Sequence, residues 1–585
     1  MLKWIKSKFR RKQTPPEILP ETPPKMALKP EVLTPVIKKI SNIPLEESVE
    51  EILAGIKPLQ PVKYKFNPSG INDFYKLFRN HQVETVTALR GHDVGQVNNP
   101  TGTGKTFIQK FIHVEDMVEK TKAGKVGVYV IAAHRLILCS QLFDEVIDLI
   151  VKCGLKTDLL YIGSGRYPFG RLNYNYRSYG FSKDTIKSYQ TTSMHNAAEF
   201  VEHSKQSGHH TLIVATYHSF DCLSKINNID ICTFDEAHTT VEKRFTDNIE
   251  TVLPNIAKKY FFTATRKVIG EHLGQNNFDF YGPVLYEMSP LQAVEAGEIV
   301  APQVHIVSIN RDAGEIDKKK NIGMLVETIT GSFDKHEEKV KKSSSDPDTI
   351  AGKLLVTNSG LEEIRNITTD KTFIDWCRSK DVQVFSFSSK QGETAHNFKN
   401  NISREEILDK MNELKSNERA ILFHFDILTE GIDLPAITGV MLLRGSLPFL
   451  KLLQNLGRAC RLHVVDRKRL YSKEIKPEQY DSMVKPFSWV ILPTYINENW
   501  EYVQDIITKL RTSYDIPLES IAITDLSNST AEELPESVLD KDKTRKDQMQ
   551  ELKHRLELMY FQSGLFDSKN KVTYVINYIR SKQQC

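Results

Sequence analysis

Short apolar runs recur along most of the chain and alternate with stretches of helical periodicity. Residues 94–97 and 229–234 are two such runs, and residues 107–112 carry apolar side chains at helical spacing. The alternation returns at 353–357 and 382–387. Strands that alternate with helices are typical of a parallel sheet covered on both faces, so the pattern predicts an α/β fold.

The pattern falls into two blocks, residues 66–311 and 351–495, which we interpret as two tandem parallel-sheet domains. Residues 312–350 between them are the expected linker region. The run KKSSSDPD at 341–348 supports this interpretation, because its composition is typical of a loop. A chain of 585 residues has room for two or three domains with full cores.

Both ends of the chain depart from the pattern. Residues 1–65 are basic at the start and then proline-rich, and we expect a mostly disordered tail because little apolar surface is available for burial. The apolar residues among the first basic ones also fit a short amphipathic anchor or a transit peptide. Residues 496–585 form an extension of unknown role, expected to be helical because apolar residues recur at helical spacing over 549–559. These apolar residues form either a face that packs on the rest of the chain or a helix that binds a partner. Either end of the chain could bind a further protein.

Composition narrows the class of protein without naming an activity. The hydrophobic fraction of 40% and the charged fraction of 26% are ordinary for a globular protein, and no apolar run has the length of a membrane span. Seven cysteines without a Cys-x-x-Cys pair argue against a disulfide framework and a zinc site. We therefore expect an intracellular, reducing compartment and no secretory signal. A net charge of +4 is weak evidence for any partner.

The most informative motif is the run NPTGTGKT at residues 99–106, which lies between an apolar run and a helical one. Glycines let the backbone approach an anion, and the N–H groups of a helix start point at it. Lys105 can then reach the β- and γ-phosphates of a nucleotide, while the Thr106 hydroxyl can hold Mg²⁺. Asn99 stands where the usual pattern has glycine. The residues expected to cradle the phosphates are Thr101, Gly102, Thr103, Gly104, Lys105 and Thr106.

An acidic pair, Asp235 and Glu236, follows the apolar run at 229–234. The carboxyl end of a parallel strand is where such sheets place catalytic groups. Asp235 is the expected Mg²⁺ ligand, and Glu236 is expected to orient and deprotonate the attacking water. The alternative is an acidic pair that merely begins a helix.

The later block carries two arginines in a helical stretch, Arg458 and Arg461. Because they are three positions apart, we expect both on one face of the helix. Guanidinium groups in this arrangement suit the charge that develops on a transferring phosphoryl group.

Taken in order, these motifs resemble those of superfamily 2 helicases and nucleic-acid translocases of the DEAH-box type. Residues 79–82 (RNHQ) resemble the segment of that family that reads adenine, and residues 134–141 and 215–219 resemble its strand-gripping motifs. The resemblance extends over roughly residues 70–495. It implies two tandem RecA-like motor domains and a nucleic-acid-dependent ATPase that uses ATP and Mg²⁺.

The resemblance also assigns roles residue by residue. It implies nucleotide contacts at Gln82, Gly431 and Asp433; nucleic-acid contacts at Arg135, Thr216 and Thr429; and coupling of hydrolysis to movement at His238, Thr263, Thr265 and Gln454.

The kind of nucleic acid is indicated by two features. Residues 281–302 resemble the link between motor domains in DNA-directed members, which include phage DNA helicases and the motor subunits of restriction enzymes. Asn455 and Cys460 replace the arginine and glycine common in RNA-directed DEAH proteins. We therefore expect an ATP-dependent DNA helicase or translocase. An RNA helicase and a motor subunit of a restriction-type complex are the alternatives, and a scaffold with a dead pocket is disfavoured by the intact motifs.

Residues 166–181 (RYPFGRLNYNYRSYGF) interleave aromatic residues with arginines and contain no acidic residue. Such a segment can stack on bases, and base–aromatic stacking contributes about 1–3 kcal/mol per base. A surface hairpin whose aromatic side chains pack on the domain is the equally supported alternative.

Overall fold

The structure, a computed structural model, describes most of the chain between residues 65 and 525. The described residues are 65–134, 146–163, 188–309, 318–358, 360–387, 395–400, 402, 404–424, 436–443, 449–495, 501–514 and 521–525. The expected tail up to residue 64, the aromatic segment 166–181 and the apolar stripe at 549–559 lie outside them. Within this part of the chain, no helix combines the length and the hydropathy needed to cross a bilayer.

A parallel sheet forms the centre of the first domain. Its strands are β1 (Val94–Asn98), β2 (Val128–Ala133), β3 (Thr157–Ile162), β4 (Ser188–Thr191), β5 (His210–Thr216), β6 (Ile229–Phe234), β7 (Ile256–Thr263) and β10 (Val284–Glu287). The spatial order is β10-β1-β7-β6-β2-β5-β3-β4, and each of these pairings is parallel. Two short strands, β8 (Val268–Gly270) and β9 (Leu273–Gly274), pair separately as an antiparallel hairpin.

Helices connect these strands and cover the sheet. They are α1 (Ser69–Tyr75), α2 (Asn80–Arg90), α3 (Lys105–Lys122), α4 (Met194–Gln206), α5 (Lys243–Glu250) and α6 (Phe278–Tyr281), with 3₁₀ turns at Tyr217–Leu223, Ala237–Val241 and Leu253–Asn255. The next helix, α7 (Pro290–Glu295), packs against the second domain, with Ala293 in its core. Local sequence explains several helix starts. In α7, Ser289 and Gln292 form a reciprocal capping box and Pro290 occupies the first turn, where its missing N–H costs nothing.

Strand β2 shows how the first sheet is buried on both faces. Tyr129, Ile131 and Ala133 belong to one apolar cluster, whereas Val128, Val130 and Ala132 belong to another. Because successive side chains of a strand point to opposite faces, both faces are covered. This explains why the strand reads as a continuous apolar run in the sequence.

The second domain contains a mixed sheet of nine described strands. They are β11 (Ala301–Ile309), β12 (Lys353–Thr357), β13 (Val382–Phe387), β14 (Ala395–His396), β15 (Lys399–Asn400), β16 (Arg419–His424), β17 (Gly439–Leu442), β18 (Phe487–Tyr495) and β19 (Ile521–Asp525). The order is β15-β14-β13-β16-β12-β17-β18-β11-β19. Only the two pairings that involve β14 are antiparallel among these strands.

The helices of this domain are α8 (Lys318–Ser343), α9 (Leu361–Thr369), α10 (Lys371–Lys380), α11 (Arg404–Glu413), α12 (Phe449–Ala459), α13 (Val464–Tyr471) and α14 (Glu501–Tyr514), with a 3₁₀ turn at Tyr480–Ser482. Two helices, α9 and α10, follow each other directly between β12 and β13. Asp370 causes the division, because its backbone is extended and its carboxylate accepts a hydrogen bond from Phe373 N at 3.0 Å as the cap of α10. The architecture confirms the expected fold class, with two tandem parallel-sheet domains of the RecA-like kind.

The domain boundary expected at residue 311 differs from the structure. Strand β11 lies before that boundary in sequence, yet it pairs with β18 along its whole length, from Ala301 opposite Phe487 to Ile309 opposite Tyr495. Val304 and Ile306 lie in the apolar core of the second domain. Ala293 of α7 lies in the same core, so the second domain begins before β11, near residue 290. Local sequence patterns do not encode the place that β11 fills in the second sheet.

The structure also differs from two further expectations, the linker region at 312–350 and the start of the C-terminal extension at residue 496. Residues Lys318–Ser343 form α8, and its Ile329 and Phe333 are buried in the second core. Helix α14 contributes Ile506 and Leu510 to that domain, and β19 pairs with β11. The described residues of α8, α14 and β19 thus belong to the second domain. The sequence did not predict this for α8 because Thr328, Ser332 and His336 interrupt the apolar pattern of its buried side.

Candidate active site

The phosphate loop lies between β1 and α3, as the sequence predicts. Gly102 and Gly104 have left-handed backbones, with φ of 96° and 84°, a conformation that glycine adopts without strain. A Cβ atom at position 104 would also lie 2.5 Å from Gln82 Nε2 and would displace that side chain from the loop. Helix α3 begins at Lys105, so the first N–H groups of the helix face the loop.

Lys105 is buried, and its position is set by the loop itself. Its ammonium group donates to the carbonyl of Asn99 at 2.9 Å and lies 3.5 Å from that of Pro100. Burial lowers the pKa of Lys105, while the carboxylates of Glu236 and Asp235 oppose that shift. The side chain is therefore positioned in the loop and electrostatically connected to the acidic pair.

The acidic pair follows β6, where Asp235 is held by two neighbours. Gln109 Nε2 donates to Asp235 Oδ1 at 2.7 Å, and Tyr217 Oη donates to the Asp235 backbone carbonyl at 2.6 Å. Burial, and next the adjacent Glu236, raise the pKa of Asp235 above that of an ordinary aspartate. A bound cation would favour the ionised carboxylate instead.

The residues at this point fit a magnesium ion. Asp235 and the hydroxyl of Thr106 provide hard oxygen donors, which Mg²⁺ uses together with phosphate oxygens and water. Gln109 Oε1 is buried and has no hydrogen-bond partner among the described residues, so an unused acceptor lies next to Asp235. Mg²⁺ would supply neutralisation of charge on the β- and γ-phosphate oxygens.

Glu236 has a left-handed backbone with φ of 51°, which is uncommon for a residue with a side chain. The 3₁₀ turn that begins at the next residue holds this conformation, and strain of this kind concentrates at functional sites. Glu236 Oε2 lies 3.4 Å from His238 Nδ1. The carboxylate is thus placed between the buried Asp235 and the histidine of the same motif.

His238 connects the two domains by hydrogen bonds. Its Nε2 lies 3.3 Å from Gln454 Nε2 on α12, and its Nδ1 lies 3.2 Å from Thr263 Oγ1 at the end of β7. Thr263 Oγ1 donates in turn to the carbonyl of Thr265 at 2.9 Å. Burial lowers the pKa of His238 to about 3, so the ring is neutral at pH 7. One tautomer fits all contacts: Gln454 donates to Nε2, and the Nδ1–H group donates to Thr263.

The second domain presents its arginine-bearing segment to the phosphate loop. A Cβ atom at Gly457 of α12 would lie 2.7 Å from Thr101 Cβ, and one at Gly102 would lie 3.3 Å from Arg461 Cγ. The sequence placed Arg458 and Arg461 on one helix face, but α12 ends at Ala459. Arg461 instead forms an isolated antiparallel bridge with Ile299. The chain turns after α12 because Lys485 Nζ donates to the carbonyls of Ala459 and Arg461, which ends the helix.

Gln82 lies against the loop, where both ends of its amide contact protein backbone. Its Nε2 donates to the carbonyls of Thr103 at 3.2 Å and Gly104 at 3.4 Å, and its Oε1 accepts from Arg79 N at 3.0 Å. A contact with adenine stays a prediction. The sequence singled out neither Arg79 nor Gln109, although Gln109 follows Lys105 by four positions and so shares its helix face.

Several expected site residues lie outside the described residues: Arg135, Thr429, Gly431 and Asp433. Of the residues expected to contact nucleic acid, Thr216 is described; it is buried at the end of β5.

Comparisons with known proteins agree with this arrangement. The family model for the DEAD/DEAH box helicase matches residues 79–270, and that for the helicase conserved C-terminal domain matches residues 357–463, together about half of the chain. No curated protein sequence matches the chain significantly.

Two solved structures are similar to the chain at low sequence identity, and the first of them shares its fold. The ATP-dependent Type ISP restriction-modification enzyme LlaBIII bound to DNA is 16% identical with a TM-score of 0.54; the match covers 80% of this chain and 32% of that one. The S. cerevisiae protein Dbp5 bound to RNA and ADP BeF3 is 13% identical with a TM-score of 0.44, and the match covers 79% and 93% of the two chains. The chain thus spans about a third of the length of the restriction enzyme.

Proposed function

The chain belongs to the DEAD/DEAH-box helicases of superfamily 2, a family of nucleic-acid-dependent ATPases, and we propose that it couples ATP hydrolysis to movement along DNA or to its unwinding. The observation that carries this proposal is the contact between the phosphate loop of the first domain and the arginine-bearing segment of the second. Thr101 and Gly102 lie against Gly457 and Arg461 across the cleft.

The proposed roles follow from the placement of each group. Lys105 would neutralise charge on the β- and γ-phosphates, and Thr106 and Asp235 would hold Mg²⁺. Glu236 orients the attacking water and accepts its proton. Arg458 and Arg461 approach from the second domain and stabilise the charge that develops on the γ-phosphoryl group.

Coupling to movement follows from the chain of hydrogen bonds through His238. Thr263 belongs to the first domain and Gln454 to the second, and His238 forms hydrogen bonds with both, while its Nδ1 lies 3.4 Å from Glu236 Oε2. A displacement of α12 when the cleft opens would break the contact with Gln454 and leave His238 free to turn. We therefore assign His238, Thr263, Thr265 and Gln454 to the coupling of hydrolysis to hinge motion between the domains.

DNA is the proposed track. The link at residues 281–302 supports it, because it resembles that of DNA-directed members, and the restriction enzyme of similar fold is bound to DNA. Arg135, Thr216 and Thr429 would contact phosphates, and such contacts carry no sequence information. A motor subunit of a restriction-type complex is the second candidate, favoured by the same similarity of fold; it would need cleavage activity from another chain.

A panel of nucleic acids tests the proposed track. We expect single-stranded or forked DNA to stimulate ATP hydrolysis severalfold, RNA of the same length and sequence to stimulate it less, and the stimulation to weaken as salt rises. Steady-state ATPase rates measure this, with the Glu236→Gln variant as the control that should bind ATP but not split it. Equal or greater stimulation by RNA would overturn the assignment to DNA. Stimulation mainly by closed circular duplex DNA would favour a restriction-type motor.

A further inference from the structure

A cluster of buried polar side chains lies beside the phosphate loop, and none of its members has a role in the hydrolysis described above. Arg79 and Glu298 form an ion pair, and His81 Nδ1 lies 3.2 Å from Glu298 Oε1. Only 14% of the Arg79 side chain and 8% of the Glu298 side chain are exposed. A charge pair buried to this degree is costly to desolvate, so its position calls for an explanation.

At one end, the cluster holds the phosphate loop. The carbonyl of Thr103 accepts hydrogen bonds from Arg79 Nη2 at 2.6 Å and from Gln82 Nε2 at 3.2 Å, and it lies 2.8 Å from His81 Nε2. In a trans peptide the C=O and N–H groups point in opposite directions. Fixing the Thr103 carbonyl therefore directs the N–H group of Gly104 away from these side chains.

At its other end, the cluster holds the segment by which the chain enters the second domain. Glu298 follows α7, whose Ala293 lies in the second core, and stands two residues before Val300, whose N–H donates to the Cys460 carbonyl at 2.8 Å. Ile299 between them bridges to Arg461. A shift of Glu298 would therefore displace the backbone partner of Arg461.

The electrostatics identify Arg79 as the partner of Glu298. Burial, and next the charge of Arg79, lower the pKa of His81 to about 4, so this ring is neutral at pH 7. Burial lowers the pKa of Arg79 to about 10, which leaves the guanidinium charged. Tyr471 of α13, whose ring centroid lies 5.4 Å from Arg79 Cζ, adds a contact from the second domain.

We propose that Arg79 and Glu298 are positioning residues that tie the phosphate loop to the interdomain crossover and so set the place of Arg461 in the ATP site. The inference rests on the proposed function, since Arg461 matters only if ATP is hydrolysed in the cleft. His81 and Gln82 also hold the Thr103 carbonyl, so removing the ion pair leaves the loop supported. Its loss should therefore reduce turnover more than nucleotide affinity.

The test uses Glu298→Gln, Arg79→Gln and the double variant Arg79→Gln/Glu298→Gln in the full chain. We expect kcat for ATP hydrolysis in the presence of DNA to fall on the order of 10- to 100-fold in each, because small misplacement of a catalytic group has effects of this size. The affinity for a fluorescent ADP analogue should change less than threefold, which corresponds to less than about 0.7 kcal/mol of binding free energy. Glu295→Gln, which alters an exposed glutamate on α7, is the matched control.

Thermal unfolding separates positioning from stability. Each single variant leaves one buried group without its countercharge and should unfold at lower temperature, whereas the double variant should regain most of that loss. The proposal is supported if the double variant is stable and still slow. It is overturned if the double variant has the kcat of the parent chain, or if kcat falls only in step with ADP affinity. If DNA does not stimulate ATP hydrolysis by the parent chain, the proposed function is rejected instead. The basal kcat of the variants would then still test the role of the ion pair between Arg79 and Glu298.

Discussion

Lys105→Ala is expected to lower kcat for ATP hydrolysis by about 10² to 10³-fold, the loss typical when one preorganised donor to a developing charge is removed. The ammonium group is held in the loop by the carbonyl of Asn99, and no other lysine occupies the loop segment 99–106. Steady-state phosphate release measures the effect. Nucleotide affinity should fall as well, because the same charge contacts the phosphates before the transition state.

Lys122→Ala is the matched control for this variant. Lys122 lies in the last turn of the same helix, and its exposed ammonium contacts Glu119. Its removal should leave kcat and KM at parental values. A Lys105→Ala protein that hydrolyses ATP at the parental rate would show that the phosphate loop is not the nucleotide site.

Arg461→Ala is expected to reduce kcat by about 10³-fold or more, within the range for an arginine that stabilises phosphoryl transfer. Arg461 lies next to Gly102, and its segment belongs to the second domain. Affinity for an ADP analogue should be largely kept, because the first domain supplies the loop. Rapid-quench single-turnover hydrolysis, with binding measured by fluorescence, separates the two effects.

Arg458→Ala and Lys468→Ala complete this experiment. Arg458 is buried on α12 and should show a loss of kcat of the same kind, whereas Lys468 is exposed on α13 and should have no effect. If Arg461→Ala and Arg458→Ala both keep parental turnover, hydrolysis is confined to the first domain and the role given to the second is wrong.

Local sequence patterns were sufficient to predict several strands, including the one that precedes the acidic pair. The apolar runs at 229–234, 353–357 and 382–387 match β6, β12 and β13, because strands buried on both faces read as continuous apolar segments. The phosphate loop and the acidic pair could be recognised because the binding of phosphate and Mg²⁺ at the carboxyl ends of such strands needs particular residues in a particular order.

Features that depend on distant partners were not predictable in this way. Nothing in residues 301–309 indicates that β11 pairs with β18, almost two hundred positions later. Glu298 gave no local signal either, since a single glutamate gains meaning only when folding brings Arg79 and His81 to it. The sequence predicted a helical position for Arg461. It could not show that α12 ends earlier, because the hydrogen bonds from Lys485 that end this helix come from outside the motif.

Disulfide trapping across the cleft tests the central claim, that the arginine-bearing segment of the second domain closes on the phosphate loop of the first. In the structure a Cβ atom at position 457 would lie 2.7 Å from Thr101 Cβ, so a small opening gives the Cβ separation of about 3.5–4.5 Å that a disulfide requires. With the Thr101→Cys/Gly457→Cys variant under mild oxidation, we predict an intramolecular cross-link, seen as a mobility shift on a non-reducing gel and absent from the variants that carry only Thr101→Cys or only Gly457→Cys beside the native cysteines. No cross-link in any state, including with ADP–beryllium fluoride and DNA present, would contradict the account.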